Sequence, residues 1–342
     1  MDPVALDIRP SGPFSLAASA RFLGDFTPAG RSEAADGPLR LAFPADDGRT
    51  TVAALVRQDG AGPDGTRPDG TRPGGTGRHG VRQEADGAAA HAVRAEFVTY
   101  ADGPGDTGEG LATAGEVRDQ IARILSLDVD GRGFPALAEG DRVVAGLMAE
   151  FPGLRPVCFH SPYEAAAWSI IGQRVRMAQA AVVKNRLAER HGRRVVVAGR
   201  TLYAFPVPAV LRTVTSFPGL TGTKIERLHA LAEAAGAGRL DAARLRGMPV
   251  DDALAELRAL PGIGPFSAEL ILPRGAGHPD VFPRHERRLH AAMAEAYGLG
   301  EAGSNDVERL ARIAEGWKPY RSWVALLLRA RAEHMVGIAP RA

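Results

Sequence analysis

Apolar positions recur every third or fourth residue through most of the chain after Gly115, and every second residue in a few short runs before it. The first spacing puts one face of a helix into a core and the second puts one face of a strand there, so a small sheet followed by a helical body is expected. Segments 39–43, 51–56 and 92–100 read as strands, and 12–26 as a short helix following a strand. Segments 116–125, 141–150, 175–190, 224–235, 306–314 and 324–336 have helical spacing, and 193–203 reads as a short β-hairpin or loop. Ser161-Pro162-Tyr163-Glu164 has the form of a capping box with proline at the first helical position. It starts a helix whose apolar face runs through Trp168, Ile170 and Ile171 to Gly172. Between the second and third strands, at about 60–88, a DGTRP repeat and its Gly/Pro-rich surroundings offer almost nothing to bury; this reads as a flexible insertion in a hairpin loop. The expected class is α+β, mainly helical, with a small mixed domain at 1–110 and a helical body at 111–342.

The stretch 251–272 is the most informative. Leu254, Leu257 and Leu260 follow an acidic start, Pro261-Gly262-Ile263-Gly264 stops that helix, and Pro265 opens another. Two glycines allow positive φ and close backbone approach, and the new helix begins with unpaired N–H groups suited to a phosphate oxygen. Such a device grips a nucleic-acid backbone without reading sequence, although a G-x-G turn alone also fits an ordinary helical hairpin.

Charge sharpens the choice. The net charge is only +2, yet residues 151–342 hold 27 Lys and Arg against 17 Asp and Glu, while residues 1–150 hold 15 against 23. The basic half contains the hairpin, which favours a nucleic acid as partner. The single cysteine, Cys158, excludes an intrachain disulfide and a four-cysteine iron–sulfur cluster, and fits a reducing cytoplasm. Without an apolar run of about 18 residues or a leader pattern, neither membrane spanning nor secretion is expected. The nine histidines are scattered, with no transition-metal spacing.

The run LPGIG, then a helix, an R-G turn and DVF-P with a carboxylate, resembles the helix-hairpin-helix DNA glycosylases, in particular the bacterial 3-methyladenine DNA glycosylase II (AlkA) type. Ile170-Ile171-Gly172-Gln173-Arg174-Val175 and Trp317-Lys318-Pro319-Tyr320-Arg321-Ser322-Trp323 are similar to two further family runs, and the likeness covers roughly residues 110–336. It implies excision of alkylated purines such as 3-methyladenine and 7-methylguanine from double-stranded DNA by a monomer, after the damaged nucleotide is turned out of the stack. It implies DNA contacts at Gly262, Ile263, Gly264, Gln173, Arg174 and Lys224, with Arg284, Arg287 and Arg288 also able to face DNA. Arg174 stands where the family carries an apolar wedge. No cofactor is implied beyond a monovalent cation that the hairpin carbonyls can hold against a phosphate.

Trp168, Phe266, Trp317, Tyr320 and Trp323 are candidates to line a pocket for the cationic base, each being equally compatible with a core. Phe266 occupies the position where strand-cutting relatives carry a lysine that forms a Schiff base. A phenylalanine cannot attack carbon, which implies a monofunctional enzyme that uses water and leaves an abasic site. The family's aspartate, which stabilises charge developing at C1′, has no direct counterpart. Counting from Phe266 puts Glu286 there, and aligning on the preceding proline puts His285 there. Asp280 reads as a turn or cap residue. A lesion-binding protein without catalysis, or a glycosylase for a bulkier or neutral lesion, stays open as an alternative.

Overall fold

The computed structural model describes residues 2–25, 37–59, 91–102 and 110–338; the insertion expected at about 60–88 lies outside these. The chain opens with β1 (Val4–Ile8), α1 (Leu16–Asp25), β2 (Leu39–Pro44), β3 (Thr50–Gln58) and β4 (Val93–Ala101). The four strands form one antiparallel sheet in the order β1-β4-β3-β2, with Val52 opposite both Phe43 and Thr99. On β3, Val52, Ala54 and Val56 pack with Val117 and Ile121 of α2 (Ala114–Ile124), while Ala53 and Leu55 pack on the opposite face with Val195, Val197 and Leu202. Those last three belong to the hairpin β5 (Arg194–Val197) and β6 (Arg200–Tyr203), in the segment expected to be a hairpin or loop. Burial on both faces explains why β3 reads as a nearly unbroken apolar run.

After a 3-10 turn at Phe134–Ala136 come α3 (Leu137–Gly140), α4 (Arg142–Glu150), α5 (Pro162–Ile171) and α6 (Met177–His191). Then follow α7 (Pro208–Leu211), α8 (Gly222–Gly236), α9 (Ala242–Gly247), α10 (Val250–Arg258) and α11 (Pro265–Arg274). The chain closes with α12 (Arg287–Ala296), α13 (Gly300–Gly303), α14 (Val307–Glu315) and α15 (Arg321–Ile338). Helices α5 to α11 share one core, centred on Ile170, Leu187, Leu228, Leu257 and Ile271. Helices α4, α12, α14 and α15 share another, with Leu147, Met293, Leu310 and Val324.

The chain crosses between the two helical cores at 275–286. Asp280 fastens that crossing to the start of α15 by accepting from Arg321 (Nε–Oδ1 2.6 Å), and Ser322 Oγ accepts from the Val281 N–H at 3.0 Å. Buried arginines tie the sheet to the helices. Arg155 donates to the carbonyls of Pro13 and Ser126, both at 2.9 Å, and lies 5.0 Å over the Trp323 ring; desolvation pushes its pKa down to about 10.

Ser161 does cap α5, accepting from the Glu164 N–H at 3.1 Å, but the reciprocal half of the expected capping box is absent. The Glu164 carboxylate turns inward instead, 2.7 Å from His160 Nδ1 and 2.5 Å from Lys184 Nζ, where it joins α5 to α6. An ammonium and an imidazole together hold a buried carboxylate more strongly than one backbone N–H does. No helix among the described residues is long and apolar enough to cross a membrane.

Candidate active site

The hairpin stands between α10 and α11 as expected. Gly262 has φ +86°, and a Cβ there would lie 2.6 Å from Cδ of Arg227. Ile263 is buried and anchors the turn, and Gly264 with Pro265 opens α11, whose first N–H groups have no partners within the helix. The segment after α5 is locked to this hairpin through Gln173. Its Nε2 donates to the Gly262 carbonyl at 2.6 Å, and its Oε1 accepts from Arg227 Nη1 at 2.6 Å. Arg174 follows in the left-handed region, φ 55°, exposed at the edge of a groove of about 1040 Å³ formed by the hairpin, Arg227 and Arg258. Gly262, Ile263, Gly264, Gln173 and Arg174 are thus brought together.

Lys224 is turned inward. It is 8% exposed and its Nζ donates to the Ile171 carbonyl at 2.7 Å, bracing the end of α5, with its pKa lowered by burial and by Arg227. A carbonyl left bare at a helix C-terminus draws the ammonium inward, so Lys224 lines the groove from its floor.

Around the corner of α11 lies a cavity of about 570 Å³ between the two helical cores. Trp168 and Phe266 line it, Phe266 remaining 51% exposed despite its size. His285, Glu286, Arg287 and Arg288 line it from the start of α12, and Arg329 from α15. Glu286 sits at the N-cap of α12 without capping it. Its Oε1 pairs with Arg329 Nε at 2.7 Å, and not with the neighbouring Arg287 or Arg288; Arg329 also holds Glu333 through Nη2 at 2.6 Å. Burial raises the pKa of Glu286, opposed by Arg329 and Arg274. Arg284 points elsewhere and pairs with Glu308 at 2.5 Å.

Three expected pocket aromatics are not there. Trp317 is buried, and its Nε1 donates to Asp141 Oδ2 at 3.3 Å and to the Tyr297 hydroxyl at 3.2 Å. Tyr320 donates to the Asp130 carbonyl at 2.7 Å, and Trp323 packs edge-on against Phe134 at 5.0 Å. Tyr320 immediately precedes α15 and Trp323 lies in its first turn, and both pack into the core, while Ala325, Leu326 and Arg329 face the cavity.

Sequence reasoning missed Glu269. This residue of α11 is 6% exposed yet lines the cavity, and it accepts twice from His285: from the backbone N–H at 2.8 Å and at Nδ1 with 2.7 Å. The available signal was a lone carboxylate in an apolar helical run, three residues after Phe266 and so on its face. Among the described residues, no cluster of three or more His, Cys, Asp or Glu is arranged to hold a metal ion.

No family model matches the chain. A DNA-3-methyladenine glycosylase of Bacillus subtilis is 25% identical over 217 residues, covering 62% of this chain and 71% of the relative. DNA-3-methyladenine glycosylase 2 of Escherichia coli is 29% identical over 218 residues, with the same two coverages. A solved 3-methyladenine DNA-glycosylase from Archaeoglobus fulgidus superposes with a TM-score of 0.66 at 20% identity, covering 98% of this chain and all of that one. The chain is a homologue of the AlkA-type helix-hairpin-helix DNA glycosylases. The fold is also similar to that of an 8-oxoguanine glycosylase/lyase of Clostridium acetobutylicum, solved with double-stranded DNA, at TM-score 0.56 and 14% identity, covering 98% of this chain and 100% of that one. In this glycosylase homologue the hairpin groove and the aromatic cavity meet at Gln173 and Ser267, which line both.

Proposed function

We propose that this protein is a monofunctional DNA glycosylase that removes alkylated purines from double-stranded DNA and leaves an abasic site. The observation that carries the reading is the cavity in which Phe266, Trp168 and Glu286 come together beside the hairpin groove. The groove holds the phosphate backbone through hairpin N–H groups and exposed arginines, so affinity falls steeply with salt and carries little sequence preference. Arg174, fixed beside Gln173, enters the gap left by the extruded nucleotide. The base lies against Phe266 and Trp168, whose ring faces favour a cation, and leaves as a neutral purine. Glu286 holds negative charge beside C1′ as that carbon becomes positive, and water completes the hydrolysis.

No lysine or cysteine lines the cavity, which supports water as the nucleophile.

Incubating the protein with duplex DNA methylated at purines is expected to release free 7-methylguanine and 3-methyladenine, with strands intact until alkali is added. Borohydride is expected to trap no protein–DNA adduct. Tight binding with no base released would instead favour a lesion-binding protein, the reading to which the Glu286–Arg329 pair lends weight. A trapped adduct would end the monofunctional assignment.

Gly262→Ala is expected to cost about 1–2 kcal/mol of stability, because a side chain must adopt the left-handed region there. The new Cβ also displaces Arg227 and with it Gln173. Affinity for undamaged duplex, measured by fluorescence anisotropy, is expected to fall; unchanged affinity would place the DNA elsewhere.

A further inference from the structure

Resting on that reading, we propose that His285, oriented by Glu269, is the base that takes the proton from the attacking water, while Glu286 serves only the charge at C1′. Glu269 is buried on α11, and both its oxygens are committed to His285, one on the backbone N–H and one on Nδ1. An ionised carboxylate only accepts, so this contact puts the ring proton on Nδ1 and the lone pair on Nε2. Nε2 has no protein partner among the described residues, and the half-exposed ring lines the cavity beside Glu286.

Glu286 is the weaker candidate for the proton. One of its oxygens is held by Arg329, so its charge is already shared with a guanidinium. Around the ring, the charged groups from other elements are Glu269 and Arg274 of α11 and Arg329 and Glu333 of α15. Its own segment adds Arg284, Glu286, Arg287 and Arg288. Glu269 is the one in hydrogen-bond contact with it, so Glu269 is a positioning residue and His285 the catalytic one.

In the step, the C1′–N bond breaks and its electron pair leaves with the purine, cancelling the positive charge that alkylation placed there. The water oxygen bonds to C1′, and its proton passes to Nε2. The resulting imidazolium is stabilised by Glu269 and later gives its proton to solvent, closing the cycle with one base, one abasic site and one proton released.

The test is single-turnover release of 7-methylguanine from methylated duplex across pH 5.5–8.5, for the wild type, His285→Asn and Glu269→Gln. Asparagine retains a donor toward Glu269 but supplies no base. General-base catalysis of the water attack is expected to make the wild-type rate rise with pH. His285→Asn is expected to lose on the order of 100-fold and the rise itself, with affinity for an abasic duplex within about threefold. Glu269→Gln is expected to lose roughly 10-fold with affinity for the abasic duplex kept, since a carboxylate then no longer holds the ring proton on Nδ1 and leaves Nε2 as the base. Should Glu269→Gln fail to fold, the exposed His285→Asn still decides. A His285→Asn protein with the wild-type rate and pH profile, or one whose loss follows DNA affinity alone, would overturn the assignment while leaving the glycosylase reading intact. A wild type that releases no base would overturn both.

Discussion

Glu286→Gln is expected to reduce base release from methylated duplex by about 10³-fold or more while leaving affinity for that duplex nearly unchanged. The size follows from the place of the charge: a carboxylate aimed at developing positive charge in a partly desolvated cleft contributes far more than it would in water. Gln keeps the shape and a hydrogen-bonding oxygen for Arg329, so the cavity stands and only the charge is lost. Single-turnover kinetics with a parallel binding titration separates these effects, and a loss of binding equal to the loss of rate would assign Glu286 to architecture. The neighbouring arginine gives the sign of a second effect. Burial raises the carboxyl pKa and Arg329 opposes that rise, so Arg329→Met removes the opposition and lifts it further. If the ionised form is the active one, the acid side of the rate profile moves to higher pH in Arg329→Met. A shift to lower pH would contradict the pairing.

The elements that made this site expected are those whose signal is local. Proline and glycine punctuate 261–265, and the apolar spacing on either side leaves little freedom over what the hairpin is. Period-two runs marked the sheet, although both faces of β3 are buried and the second face is covered by a hairpin some 140 residues later in the chain. The site was legible where a residue's environment follows from its own helix: Phe266, one residue into α11, cannot reach the core and stays exposed. It was illegible where the partner comes from afar. The Glu286–Arg329 pair needs α15 to return beside the start of α12, and the Glu269–His285 contact needs the crossing at 275–286 to fold back over α11. The aromatic run at the start of α15 is compatible with either side of that helix. Only the packing of Phe134 and Asp141 against it turns Trp317, Tyr320 and Trp323 inward. The inward turn of Lys224 was illegible for a similar reason, since the Ile171 carbonyl that attracts it lies on another helix.

Lys184→Met is expected to destabilise the fold by about 3 kcal/mol at neutral pH, read by denaturant unfolding, because it leaves the buried carboxylate of Glu164 with His160 as its one side-chain partner. Burial alone would raise that carboxyl pKa, but His160 and Lys184 together outweigh it and hold the group well below the usual carboxylate range. A depressed folded pKa means that the contribution is complete above the unfolded value of about 4.3 and drains away as pH falls toward the folded value. The wild type therefore loses stability steeply on acidification, and Lys184→Met, having less of that contribution to lose, shows a shallower fall. Glu164→Gln combined with Lys184→Met removes both charges and is expected to recover most of the single variant's loss, since replacing a buried pair costs far less than breaking it. If the double variant is no more stable than Lys184→Met, the contact of the Lys184 ammonium with the Phe205 ring, 5.8 Å from its centroid, is what matters, and not the pairing with Glu164. Because the triad sits where α5 begins and Trp168 lies further along the same helix, its rupture is also expected to loosen one wall of the aromatic cavity.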